Sequence, residues 1–150
     1  MMSPNEKESS AILSLKELLK RPTFHMHTRP DGIIVYQFDN LSREVLIQWV
    51  DFLRTVEDKL KPSQRILYDF RGAGPPSRFM IDRLPAVMGE MNIPEDTWSA
   101  FLVSDDLNGR FTRNALDRLP ITIGKTKSFL NLAPAVRWLL GNSDTEDSAE

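Results

Sequence analysis

Side chains that could do chemistry gather directly after one apolar run of the sequence. Asp69 and Arg71 supply a carboxylate and a guanidinium, and the hydroxyl of Ser77 follows shortly after them. A carboxylate and an arginine can serve acid–base and anion-binding roles. An enzyme that uses Asp69, Arg71 and Asp105 is one hypothesis. The sequence pairs no nucleophile with a base, however, and a non-enzymatic role is therefore favoured.

Two glycines form the corner between these side chains. Gly72 and Gly74 stand between a predicted strand and a predicted helix, as glycines do in phosphate-binding loops. Pro75 and Pro76 remove two amide donors that a phosphate loop would use. Neither a third glycine in the dinucleotide spacing nor a Gly-Lys-Ser/Thr sequence follows. We therefore predict no nucleotide site and no cofactor. Ser77 is predicted to cap the next helix, and its phosphorylation is the less favoured alternative.

Arginines are frequent on the segments that follow two of the predicted strands. If these segments adjoin, their guanidinium groups could converge on a carboxylate or a phosphate. The favoured alternative is a set of solvated helix faces on which arginines pair with acidic neighbours. The arginines in question are Arg71, Arg78, Arg83, Arg110, Arg113 and Arg118, and their acidic neighbours are Asp82, Glu90 and Asp117.

The two histidines of the chain are a weaker candidate site. His25 and His27 share one face of a predicted strand. Two imidazoles can share a metal ion, but a protein site needs three or four ligands. The sequence therefore predicts an exposed strand face and no metal.

The segment after Ser77 combines aromatic and methionine side chains, which adapt to varied apolar partners. Phe79, Met80, Met88 and Met91 either fill the core or line an apolar groove for a ligand. Pro85 interrupts the helical pattern, which predicts a kink or two short helices.

The elements that would position these side chains alternate along the chain. A Pro-Asp-Gly turn at residues 30–32 predicts a β-hairpin. Apolar runs at 65–70 and 98–103 predict buried strands, with amphipathic helical patterns between and after them. Alternating strands and helices indicate an α/β fold. We predict a single-domain mixed, mainly parallel five-stranded sheet with an N-terminal β-hairpin and four to five helices.

Finer predictions concern helix caps, one helix face and the last strand. Ser42 is predicted to cap a long helix, and Asn131 the last helix. A short strand is predicted to begin at residues 121–123 and to extend towards Phe129. The helix after the strand at 98–103 is predicted to carry its apolar stripe on Leu107, Phe111, Ala115 and Leu119.

Composition limits the classes of function. The chain has 150 residues, a formal net charge of −2 and no cysteine. These values favour one domain, no nucleic-acid partner and no thiol chemistry. We predict an N-terminal extension with an amphipathic helix at 1–22, the domain at 23–141 and an acidic disordered tail at 142–150. No signal peptide or membrane span is expected, which predicts a cytoplasmic protein.

The predicted order of elements over roughly residues 23–141, with a hairpin first and a short strand before the final helix, resembles the STAS family, the anti-sigma-factor antagonists of the sporulation type and their relatives. The ending at 127–139 resembles the terminal strand–helix segment of that family, with its Ala-x-x-Trp-Leu pattern at 135–139. Asp69 and Gly72 match the ends of the family's Asp-Ser-Ser-Gly run, in which a serine accepts a phosphate. Phe70 and Arg71 occupy the serine places, so the resemblance implies the fold without the phosphorylation switch.

The sequence thus predicts a non-enzymatic STAS-like regulatory or protein-interaction module. A protein partner or a second copy would bind at the corner and the following helix. The alternative is a binding protein or sensor for a small apolar, lipid-like or anionic ligand. The predicted contact residues are Asp69, Arg71, Gly72, Ser77, Arg78, Phe79 and Met80.

Overall fold

The computed structural model describes residues 21–56, 64–91, 96–118 and 125–141. The predicted N-terminal helix and the predicted acidic tail lie outside these ranges. The described strands are β1 (Phe24–Thr28), β2 (Ile34–Phe38), β3 (Arg65–Asp69), β4 (Trp98–Leu102) and β5 (Lys125–Phe129). The described helices are α1 (Arg43–Val56), α2 (Arg78–Asp82), α3 (Leu84–Gly89), α4 (Leu107–Asp117) and α5 (Leu132–Leu139).

The five strands form one sheet in the order β1-β2-β3-β4-β5. The predicted hairpin pairs β1 with β2 in antiparallel register, and the remaining neighbours pair in parallel. Gly32 occupies the left-handed region at φ +88° in the hairpin turn, which glycine adopts without a steric penalty. The α/β class is therefore confirmed, and the sheet is mixed rather than mainly parallel.

One face of the sheet carries a layer of stacked aromatic rings. Tyr36, Tyr68 and Phe101 are neighbours in register on β2, β3 and β4, with ring centroids 5.6 Å and 5.3 Å apart. Phe38 and Phe70 extend the layer at 5.2 Å. Buried residues from α1, α2, α3 and α4 cover this face, whereas α5 covers the opposite one. Large rings packed in this way bury much apolar area and fix the inner face of the helical layer.

Local chemistry explains two helix boundaries that were predicted. Ser42 accepts a hydrogen bond from the Val45 amide at 3.3 Å, and α1 begins directly after it. Pro85 lies in the first turn of α3, where its missing amide hydrogen costs no helical bond. The predicted break is thus confirmed as two short helices, which meet at Arg83.

The apolar stripe predicted for α4 is wrong in its phase. Leu107 is 61% exposed and Phe111 is 48% exposed. The buried side of α4 carries Gly109 and Thr112 instead. A Cβ on Gly109 would lie 1.6 Å from the Ser104 carbonyl oxygen, so glycine lets the helix pack against that backbone. Ala115 was correctly placed inside.

The last strand and the last cap also differ in detail. β5 begins at Lys125, and residues 119–124 lie outside the described ranges. Asn131 stands at the cap position of α5, but its side chain makes no capping hydrogen bond. In the described part of the chain, no helix has the length and apolar character needed to cross a membrane.

Candidate anion-binding site

The corner after β3 is held together by its own ion pair. The Arg71 Nε donates to Asp69 Oδ1 at 3.0 Å, and its Nη2 donates to Asp69 Oδ2 at 3.0 Å. The Arg71 backbone amide also donates to Asp69 Oδ1, at 3.1 Å. This bidentate pairing raises the pKa of Arg71 above its ordinary value. Asp69 and Arg71 therefore shape the corner, and their charges largely neutralise each other.

The two corner glycines have different roles. Gly74 adopts a φ of +73°, in the left-handed region, where a side chain would be strained. Gly72 needs no positive φ, and nothing lies within 4 Å of the position of its missing Cβ. The backbone therefore requires glycine at 74 and leaves 72 free to vary.

Ser77 performs the capping role that the sequence predicts. Its Oγ accepts a hydrogen bond from the Met80 amide at 3.2 Å, at the start of α2. This bond satisfies one of the amide groups that have no partner within the helix.

Beyond the cap, a surface cleft of about 410 Å³ opens between the start of α1 and the outer side of α2. We call it the arginine cleft. Its lining residues are Arg43, Arg78, Phe79, Asp82 and Arg83. Strands β2 and β3 run parallel, so the helices that follow them begin at the same edge of the sheet. Arg43 and Arg78 are the first residues of those two helices.

The arginine cleft has more positive than negative charge. Arg78 Nε lies 3.9 Å from Asp82 Oδ2, longer than a hydrogen bond. Within the described ranges, neither Arg43 nor Arg83 forms an ion pair or a side-chain hydrogen bond. Guanidinium groups without partners are strong donors to carboxylates and phosphates. The cleft is therefore suited to bind an anion.

The cleft brings together some of the predicted contact residues and omits others. Of the predicted contact residues, Arg78 and Phe79 lie in it, and Arg83 lies beside them. Arg71 is turned to Asp69, and the arginines of α4 do not line the cleft. Met80 is 1% exposed and belongs to the core, so an external partner cannot reach it in this conformation.

Arg43 is the cleft residue that sequence reasoning missed. The predicted cap at Ser42 placed Arg43 in the first turn of a helix. Arg43 and Arg78 are distant in sequence, and they line the same cleft because β2 and β3 are neighbouring strands of the sheet.

The inner side of the same helical segment faces a small apolar cavity. Met80, Leu84 and Met88 line it, together with the aromatic layer and Trp49. The cavity volume is about 20 Å³, room for roughly one water molecule. An apolar ligand of lipid size has no prepared volume there unless α2 or α3 moves.

Trp49 and Tyr68 are the polar groups beside this cavity. Among the described residues, the indole N–H of Trp49 meets no hydrogen-bond acceptor, and the plane of its ring stands at 88° to that of Tyr68. Burial raises the pKa of Tyr68, so its hydroxyl stays neutral at physiological pH.

The histidines lie on β1 and do not line the arginine cleft. His25 Nε2 lies 3.0 Å from Asp39 Oδ1, an exposed contact. The Thr23 amide donates to Asp39 and is the main cause that lowers the pKa of this carboxyl. Across the described ranges, no three histidine or acidic residues come together to hold a metal ion.

A scan against protein-family models gave no match to this chain, and searches of curated proteins and of solved structures gave none either.

Proposed function

We propose that this protein is a non-enzymatic STAS-like interaction module that binds an acidic segment of a protein partner in the arginine cleft. The observation that carries the proposal is the pair of guanidinium groups of Arg43 and Arg83, which face the cleft without an ion pair to any described residue. An unneutralised pair of arginines on a shaped surface favours an anionic partner and accelerates its association.

The STAS-like assignment rests on the sequence of the corner and of the last strand–helix segment. Asp69 and Gly72 keep the ends of the family's motif, while Phe70 and Arg71 replace its serines. Phe70 is buried in the aromatic layer, and Arg71 pairs with Asp69. Both replacements have structural roles, which supports a module that recognises without being phosphorylated at this run. The lack of cysteine supports a cytoplasmic location.

A small anionic ligand or sensor function is the second candidate, because the same guanidinium groups would hold a free anion. A volume of about 410 Å³ lies in the range of small-molecule pockets. Arg78 is almost fully exposed, with 97% of its side-chain surface accessible. That exposure favours a docked chain over an enclosed small molecule.

A pull-down from an extract, followed by titration of the captured partner, tests the proposal. The variants Arg43→Glu and Arg83→Glu reverse charges inside the cleft, whereas Arg113→Glu makes the same change on the exposed side of α4. We expect partner affinity to fall at least about tenfold in the two cleft variants, equivalent to about 1.4 kcal/mol, and to persist in the control. Equal binding by all three variants would remove the cleft from the interaction.

A further inference from the structure

The net charge of the arginine cleft indicates which kind of anionic group of a partner would bind there. Among the described residues, its lining carries three arginines and one aspartate, a formal balance of +2. A carboxylate brings one negative charge, whereas a phosphorylated side chain brings about −1.5 to −2 at pH 7. We propose that the cleft binds a phosphorylated side chain of a protein partner. This inference rests on the proposed function and specifies the group that is recognised.

The cations of the cleft are all arginine, and this choice matters for phosphate. A guanidinium presents planar, forked donors that match two phosphate oxygens at once, whereas an ammonium acts as a point charge. Arg43 and Arg83 have these donors free among the described residues. Arg78 is held only loosely by Asp82, at 3.9 Å. The cleft therefore offers a phosphate group the forked donors of three lining arginines.

The position of Arg43 adds to this preference. It is the first residue of α1, a helix of 14 residues. The N-terminal end of a helix carries a partial positive charge, and this charge favours an anion close to it. Glu44, the next residue of α1, is the acidic neighbour that opposes it.

The openness of the site favours a group borne on a polypeptide. Arg43, Arg78, Asp82 and Arg83 are all exposed, and Phe79 is half-buried in the same wall. Small-molecule sites enclose most of their ligand. Here a chain could lie across the cleft, with its phosphate on the arginines and a neighbouring apolar side chain against Phe79.

The test compares degenerate peptide libraries with a fixed central residue. The central residue is phosphoserine in one library, glutamate in the second and serine in the third. Binding to the full chain is measured by fluorescence anisotropy, with Arg83→Glu and Arg83→Lys as cleft variants and Arg113→Glu as the matched control. Inorganic phosphate and phenyl phosphate are titrated as competitors.

We expect the phosphoserine library to bind at least about tenfold more tightly than the glutamate library. Arg83→Glu should abolish this difference and Arg83→Lys should reduce it, because lysine loses the forked geometry. Equal, arginine-dependent binding of both anionic libraries would overturn the phosphate preference and leave the acidic docking function standing. If either anionic library binds the cleft variants as tightly as it binds the wild type, both the phosphate preference and the acidic docking function are overturned.

The source of the phosphate and its ionisation give two further readouts. If inorganic phosphate binds the cleft as tightly as the phosphopeptides do, the proposal that the phosphate is borne on a polypeptide is overturned.

Between pH 7.5 and pH 5.5, the affinity for the phosphoserine library should fall roughly fourfold, because the second phosphate pKa is about 6. The charged groups that line the cleft are Arg43 on α1 and Arg78, Asp82 and Arg83 on or beside α2, with no histidine among these described residues; Glu44, the next residue of α1, is an acidic neighbour outside the lining. An unchanged affinity over this pH range would contradict recognition of the phosphate dianion.

Discussion

The outer and inner sides of one short helical segment differ sharply in what they could bind. Outside, α2 and Arg83 contribute guanidinium groups to an open cleft of about 410 Å³. Inside, Met80, Leu84 and Met88 close over a cavity of about 20 Å³. The outer side presents guanidinium groups that suit an anion, whereas the inner side is apolar and has room for no more than about one water molecule. The contrast favours an anionic partner over an apolar ligand.

The neighbours Arg83 and Leu84 give the sharpest test of this contrast, since one faces the cleft and the other faces the cavity. Leu84→Ala enlarges a buried space, and we expect it to lower the free energy of unfolding by about 2–5 kcal/mol. Chemical denaturation measures this loss. The folded fraction should bind acidic probes as the wild type does. A Leu84→Ala protein of wild-type stability would show that the inner side is not tightly packed.

The corner glycines form a second matched pair. Gly74→Ala places a side chain in the left-handed region and should cost about 1–2 kcal/mol. Gly72→Ala meets no neighbouring atom and should change stability by less than about 0.5 kcal/mol. Thermal unfolding of the two variants, measured side by side, checks the difference. A larger loss at 72 than at 74 would contradict the described corner.

The helix cap connects the corner to both sides of α2. Ser77→Ala removes the bond to the Met80 amide and should cost about 1 kcal/mol. Ser77→Asn supplies another side-chain acceptor and should restore most of that stability. If asparagine fails to rescue the alanine variant in denaturant titrations, the hydroxyl of Ser77 has a role other than capping.

Arg83→Ala should have little effect on stability and a large effect on binding. The side chain is exposed and forms no ion pair within the described ranges, so the free energy of unfolding should change by less than about 0.5 kcal/mol. Affinity for acidic probes should nevertheless fall. Denaturation measurements test the predicted stability, and anisotropy measurements test the predicted loss of affinity. A variant that is destabilised yet binds normally would reverse the assignment of the two sides.

Local chemistry made much of the fold predictable. The Pro-Asp-Gly turn, the cap at Ser77 and the break at Pro85 each depend on residues adjacent in sequence. The buried strands β3 and β4 follow from the apolar runs at 65–70 and 98–103. These features need no knowledge of which elements become neighbours in space.

The rest depended on packing between distant segments. Arg43 joins the cleft because β2 lies beside β3. Met80, for which the sequence left both the core and an apolar groove open, lies in the core, and only the packing of α2 against the sheet decides between them. On α4, Gly109 rotates the buried stripe away from Leu107, because a close approach to the Ser104 carbonyl leaves no room for a side chain.

The most direct test of the account follows cleft and cavity resonances in one NMR titration. The Nε–H groups of the arginines report on the cleft, and the indole N–H of Trp49 reports on the cavity wall. Titration with the phosphoserine peptide library should shift the signals of Arg43, Arg78 and Arg83 and leave the Trp49 signal in place. A shift of Trp49 without a shift of those arginines would contradict the account and place the binding site beneath the helices.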